Sequence, residues 1–252
     1  MSDADPAALS RERLAAVLAL GLVLLIALVA GAVAINRVNG PGVPVAVAVP
    51  TQAPSEVATL PSPTVSAAAP IPFADCTGAT FGAALQPLNP PPSVHAYAAA
   101  PAMSINTGHL FQATVTTARG PIVLCLQPSL APLTVNVIVT LARNHFYDGL
   151  TFHRVEPNFV IQGGDPKGDG TGGPGFQFAD EPVRQRYVDG AVAMANSGPN
   201  TNGSQFYVCI GPQCASLPPK YNLFGKVASG LDVAKRIVKG DVIQTVVIRE
   251  QQ

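Results

Sequence analysis

Phe152-His153-Arg154-Val155 and, three residues later, Phe159-Val160-Ile161-Gln162-Gly163-Gly164-Asp165 form the densest stretch of this 252-residue chain. Both apolar segments are too short for helices, and the Gly163-Gly164 pair cuts the second, so they read as short strands. The same pattern recurs downstream in Ala191–Ala195, Phe206–Ile210, Leu223–Val227 and the final Thr245–Ile248. Upstream, Phe111, Ala113, Val115 and Thr117 alternate with Gln112, Thr114 and Thr116, the period of a half-buried strand. Arg119-Gly120 is a turn, and Ile122 to Leu126 is the returning arm of a hairpin. Pro132 suits a first helical turn, Val135, Ile138, Leu141 and Ala142 give a helical face, and Leu231–Val238 reads as a second helix. Many short strands with two helices predict a mainly β fold, a closed barrel capped by helices.

Further motifs surround the opening stretch. They are Gly170-Thr171-Gly172-Gly173, Met194-Ala195-Asn196, the run from Gly198 through Asn202-Gly203-Ser204-Gln205-Phe206, and Leu223-Phe224-Gly225-Lys226-Val227. In this order and spacing, over about residues 108–250, they resemble the cyclophilin-type peptidyl-prolyl cis/trans isomerases. The resemblance implies a closed eight-stranded antiparallel barrel with two capping helices.

Other chemistries fail on the residues. A phosphate loop needs Gly-Lys-Ser/Thr, and the chain has none. A calcium loop starting at Asp165 would put Lys167 third and Phe176 twelfth, where a glutamate belongs. Ser204 lacks a nucleophile elbow. The four histidines, His95, His109, His145 and His153, show no metal-ligand spacing, and His153 reads as a packed, hydrogen-bonded core residue. No metal and no cofactor are expected.

What the resemblance implies is catalysis without covalent chemistry. Rotation about an X–Pro bond meets a barrier of about 18–20 kcal/mol from amide resonance. Arg154 would donate near the prolyl nitrogen and stabilise the twisted amide, with Phe159 and Gln162 completing the catalytic set. Val160, Tyr207, Leu217 and Tyr221, with Phe159, would enclose the proline ring. Ala195, Asn196 and Gln205 would bind substrate backbone, and Gly170 and Thr171 would line the adjoining groove. Tyr207, Tyr221 and Val160 stand where the family often has phenylalanine, histidine and methionine. The tryptophan that precedes the pocket leucine in cyclosporin-sensitive members is Ser216 here, and the chain has no tryptophan. Weak cyclosporin binding with isomerase activity retained is expected. The alternative from another class is a non-catalytic chaperone or scaffold module that holds proline-containing segments.

The N-terminal part has a different character. Leu14 to Ile35 carries no charge over 22 residues and is flanked by Arg11, Glu12 and Arg13 and by Arg37. At 1.5 Å per residue it reaches roughly 33 Å, enough for a bilayer core. It is expected to be an uncleaved transmembrane signal anchor, with residues 1–13 cytoplasmic and the rest outside, since Arg11 and Arg13 precede it. The alternative is a signal peptide cleaved near Ala32-Val33-Ala34, which gives a secreted domain. Residues 36–107 are rich in alanine and proline, holding thirteen of the chain's 25 prolines between Pro41 and Pro101, and read as a disordered linker. Phe73, Cys76, Phe81 and Tyr97 suggest that its distal part packs on the domain that follows.

Fifteen basic and fifteen acidic side chains cancel, and no basic run marks a nucleic-acid partner. The expected partners are proline-containing segments of client proteins and, through residues 14–35, a membrane; the domain is expected to be a monomer. Cys76, Cys125, Cys209 and Cys214 allow two disulfides in three connectivities. A Cys209–Cys214 bridge would leave Cys76 to pin the linker to Cys125, and four reduced, buried thiols are the other reading.

Overall fold

A computed structural model describes residues 69–88 and 96–252. All of them fall in one unit, Pro63–Gln252. The hairpin expected from alternation is present: β2 (Phe111–Thr117) pairs with β3 (Gly120–Leu126) in register from Phe111–Leu126 to Thr117–Gly120. Alternate β2 residues, Phe111, Ala113, Val115 and Thr117, are buried.

Other strands are β1 (Phe81–Ala84), β4 (Arg154–Glu156), β5 (Val160–Gly163), β6 (Ala191–Met194), β7 (Phe206–Cys209), β8 (Leu223–Ser229) and β9 (Ile243–Gln251). They form one sheet in the order β1-β9-β2-β3-β8-β6-β7-β5-β4, and every neighbouring pair is antiparallel. The expected closed eight-stranded barrel is corrected on two counts. There are nine strands among the described residues, and the ladder has edges at β1 and β4. The reason is local: β2 takes one side of β9 and β1 takes the other.

The helix α1 (Pro132–Arg143) matches the sequence expectation. Its N-cap, Ala131, offers no side chain, and the carboxylate of Glu181 takes that role. Leu133 and Thr134 donate their backbone N–H groups to it at 2.8 and 2.9 Å, and the Thr134 hydroxyl at 2.6 Å. The second helix, α2 (Leu231–Ala234), is shorter than the expected Leu231–Val238. After Lys235 the backbone bonds tighten to three-residue steps, Arg236 to Val233 and Ile237 to Ala234. Val233, Ala234 and Ile237 still bury their face in the core.

The folded unit begins well upstream of Gly108. Residues 69–88 and 96–107, read from sequence as linker, lie on the domain. The chain follows Cys76, which is disulfide-bonded to Cys125 of β3, into β1. Leu85 then donates to the Ile248 carbonyl. Further on, the Asn136 side chain of α1 accepts from the Ser104 N–H and donates to the carbonyls of Pro101 and Ala102. Packing of this distal part was the sequence expectation for Phe73, Cys76, Phe81 and Tyr97. Residues 14–35 lie outside the described residues, and among the described ones no helix is long and apolar enough to cross a membrane.

Candidate functional site

Strands β5, β6 and β7 are buried on both faces, which is why their sequences are nearly continuous apolar runs. Period-2 alternation then divides them. Ile161, Val192, Met194, Phe206 and Val208 enter the main core, whereas Val160, Ala191, Ala193, Tyr207 and Cys209 enter a second cluster on the opposite face. That second face carries the site.

Strand register sets its first row. Arg154 pairs with Gln162, Gln162 with Tyr207, Tyr207 with Ala193, and Ala193 with Leu223. Directly opposed residues of neighbouring strands stand about 4.5–5.5 Å apart, so these side chains stand abreast. Arg154, Gln162 and Tyr207 of this row bound a cavity of about 210 Å³, lined also by Phe159, Val160, Ala195, Asn196, Leu217 and Tyr221. Every one of these nine was expected from sequence. The remaining three, Gly170, Thr171 and Gln205, line an adjoining groove of about 670 Å³ that shares Gln162, Ala195 and Asn196 with the cavity.

A directed hydrogen-bond chain joins the two spaces. Arg154 Nη1 donates to Gln162 Oε1 at 3.1 Å, and Gln162 Nε2 donates to Gln205 Oε1 at 2.9 Å. Gln205 Nε2 donates to the carbonyls of Gly170 and Gly172 at 3.0 and 2.8 Å. Each amide is thereby fixed in orientation, with its oxygen toward the arginine end. Arg154 also donates from Nε to Glu156 Oε1 at 2.8 Å, its Nη2 lies 2.7 Å from the same oxygen, and its guanidinium sits 5.7 Å from the Phe159 ring centre. A guanidinium has five N–H groups, so these contacts leave some for a ligand. The ion pair is exposed and contributes about 0–1 kcal/mol to stability; its effect is to aim the guanidinium.

The groove loop is organised by Asp165, which is 1% exposed. Its carboxylate accepts from the N–H groups of Lys167, Asp169 and Gly170. Gly172 packs so close to Asp165 and Lys167 that a Cβ there would collide. His153 lies just before β4 and is 8% exposed, but neither ring nitrogen has a partner among the described residues. The expectation of a packed histidine holds; that of a hydrogen-bonded one is corrected, because no described acceptor lies within hydrogen-bond reach of either nitrogen. Burial first, then the charge of Arg154 and of Lys239, lowers its pKa against the opposing pull of Asp165 and Asp169.

The opposite rim is a loop. Cys209, at the end of β7, is disulfide-bonded to Cys214 in the short 3-10 helix Pro212–Ser216. This turn delivers Leu217, whose N–H bonds the Cys214 carbonyl at 3.0 Å. Gly211 lies so tightly against Asn158 that a Cβ would sit 2.4 Å from its carbonyl oxygen. Ser216 turns its hydroxyl to the Gln213 carbonyl. Tyr221 is held by Tyr187, whose hydroxyl accepts from the Tyr221 N–H at 3.0 Å and donates to its carbonyl at 2.7 Å. Burial raises the Tyr187 pKa to about 12 and that of Tyr207 further still. The Tyr207 hydroxyl has no partner among the described residues.

Sequence reasoning missed three contributors. Glu156 was legible, being two residues from Arg154 on one strand and so on the same face. Lys167, on the groove, and Tyr187, behind Tyr221, gave no local signal. Among the described residues no group of three or more histidine, cysteine or acidic side chains could hold a metal ion.

Residues 112–251 match the family described as cyclophilin type peptidyl-prolyl cis-trans isomerase/CLD. Peptidyl-prolyl cis-trans isomerase B of Bacillus subtilis is 48% identical over 123 residues, covering 48% of this chain and 85% of the relative. A probable peptidyl-prolyl cis-trans isomerase B of Mycobacterium tuberculosis is 43% identical over 146 residues, 51% of this chain and 47% of the relative. A crystal structure of a Cryptosporidium parvum cyclophilin type isomerase, obtained in the presence of the dipeptide Ala-Pro, superposes with a TM-score of 0.51 at 29% identity. It covers 54% of this chain and 98% of that one.

Proposed function

The chain belongs to the cyclophilin-type peptidyl-prolyl cis-trans isomerases, and from that premise we propose how its residues divide the work. The proline ring of a substrate enters the 210 Å³ cavity, against Phe159, Val160, Tyr207, Leu217 and Tyr221. Arg154 donates its free N–H groups toward the prolyl nitrogen. As the amide twists, that nitrogen loses its conjugation and gains basicity, so the bond to Arg154 strengthens most in the transition state. The flanking peptide backbone lies along the groove against Asn196, Gly170, Thr171 and Gln205. The observation that carries this reading is the Arg154–Gln162–Gln205 chain, which holds a cation at the cavity and continues into the groove. The Cryptosporidium relative crystallised in the presence of Ala-Pro supports a proline-peptide ligand.

The test is a proline-isomerisation assay on the wild-type chain beside Arg154→Ala. Rate enhancement by the wild type and its loss in the variant is the expected result. Peptide binding without enhancement would favour the holding-module alternative. With Ser216 at the rim in place of an indole, cyclosporin inhibits weakly; a nanomolar inhibition constant would overturn that reading.

The setting we propose is the outer face of a membrane. Residues 14–35 form a single span, residues 1–13 remain inside, and the isomerase acts as a monomer on exported proteins. The uncharged run and the pairing of all four cysteines support an oxidising compartment. Protease digestion of intact cells checks it: the domain should be cut while residues 1–13 are protected, and a released, soluble product would indicate cleavage near Ala34.

A further inference from the structure

The family match starts at residue 112, yet the chain upstream of it touches the backs of both parts of the site. Residues 71–76 are held on the domain by the Cys76–Cys125 disulfide and by the Gln127 side chain, which accepts from the Ala74 N–H and donates to the Pro72 carbonyl. Ile71 and Phe73 pack against the same cluster that contains Val160 and Tyr207 of the cavity. Further on, Tyr97 lies behind the groove. Its N–H donates to the Pro174 carbonyl at 2.7 Å, and its ring meets Phe176 edge-on at 6.5 Å between centres. Gly175 has a φ of +90°, and a Cβ there would sit 2.6 Å from the Tyr97 carbonyl oxygen. Pro174, Gly175 and Phe176 are themselves wall of the 670 Å³ groove.

We propose that this upstream segment is a working part of the binding site, in which Tyr97 is a positioning residue for the Pro174–Phe176 groove wall and the Ile71–Phe73 strap backs the proline cavity. The wall is glycine-rich, with Gly172, Gly173 and Gly175 in four positions, and has little stiffness of its own. The Tyr97 backbone and ring supply it from behind. A peptide long enough to reach the groove meets a preformed surface and loses less entropy on binding. A ligand confined to the cavity does not sense Tyr97, but it does sense the strap. The inference rests on the substrate path proposed above.

The experiment uses the full chain and two probes, the dipeptide Ala-Pro and a decapeptide with a central Ala-Pro bond. Affinity is read by NMR titration and the on-enzyme rate by exchange spectroscopy, well below each variant's melting temperature. Tyr97→Ala should weaken the decapeptide about tenfold, leave Ala-Pro within about twofold, and leave the on-enzyme rate near wild type. Tyr97→Phe should restore affinity, since the Tyr97 hydroxyl has no partner among the described residues. Phe73→Ala should weaken both probes alike. Should Tyr97→Ala unfold the chain, Gly175→Ala disturbs the same contact from the other side and should show the same selective loss. Unchanged decapeptide affinity in folded Tyr97→Ala or Gly175→Ala, or equal loss of both probes, overturns the proposal. A wild-type chain that binds both probes without accelerating exchange would fail the catalytic reading instead and leave this comparison intact.

Discussion

On one side of the cavity, Arg154, Gln162 and Tyr207 stand abreast on β4, β5 and β7; on the other, Leu217 and Tyr221 hang from a loop. The strand side is placed by register, which repeats along the whole ladder and cannot shift by one residue without turning its apolar residues to the wrong face. The loop side has no ladder. It is placed by single devices: the Cys209–Cys214 bridge, the close seat of Gly211 on Asn158, and the double hydrogen bond between Tyr187 and Tyr221. The group proposed to act on the amide therefore sits on the redundant side. The surfaces proposed to choose which proline-flanking shapes fit sit on the side held by single devices.

The largest test of that division is Arg154→Ala. It should lower kcat/KM by about 10²–10³-fold, as loss of one transition-state donor does, while the melting temperature stays near wild type. A loss under tenfold would move the catalytic weight off the strand side.

Removing the rim bridge with Cys209→Ala and Cys214→Ala comes next. A short disulfide loop contributes about 2 kcal/mol, so thermal stability should fall, with KM rising more than kcat falls. A fall in kcat with KM unchanged would show that the bridge supports the strand side as well. Tyr187→Phe is gentler, removing hydrogen bonds of about 0.5–1.5 kcal/mol each. KM should rise a few-fold, read in the same assay, and unchanged KM would mean Tyr221 needs no such holder.

The smallest effect is on pH. The pKa of His153 is held below its ordinary 6.5, so the unfolded chain binds the proton more readily than the folded one. The stability associated with this group is complete above about pH 6.5 and is lost as pH falls through the lowered folded value. Wild-type melting temperature should drop across that window, and His153→Phe should flatten the drop. An identical profile in the variant would assign the acid limb to other groups.

The sequence made β2 legible because its burial alternates with its apolar residues, and α1 because Val135, Ile138, Leu141 and Ala142 fall on one face. The strand side of the cavity was legible because family motifs there fall on strands whose register then did the placing. Strand β1 was not: Phe81-Gly82-Ala83-Ala84 holds one large apolar residue, and it is a strand because β9 offers a free edge. The closed ladder was misread for the same reason. Tyr187 could not be read at all, since its partner lies 34 residues away and neither neighbour, Arg186 or Val188, hints at it.

The Cys76–Cys125 bridge has a mechanical consequence. Any pull arriving along the chain from upstream of Ala69 can peel off the strap as far as Cys76, where it meets a covalent bond into β3. From there the load passes to a strand that has neighbours on both sides, β2 and β8. Residues 77–124, with the edge strand β1 and Tyr97 among them, lie inside the closed loop and carry no tension. Of the two upstream supports, the strap lies on the loaded path and Tyr97 does not, so tension would act on the cavity before the groove.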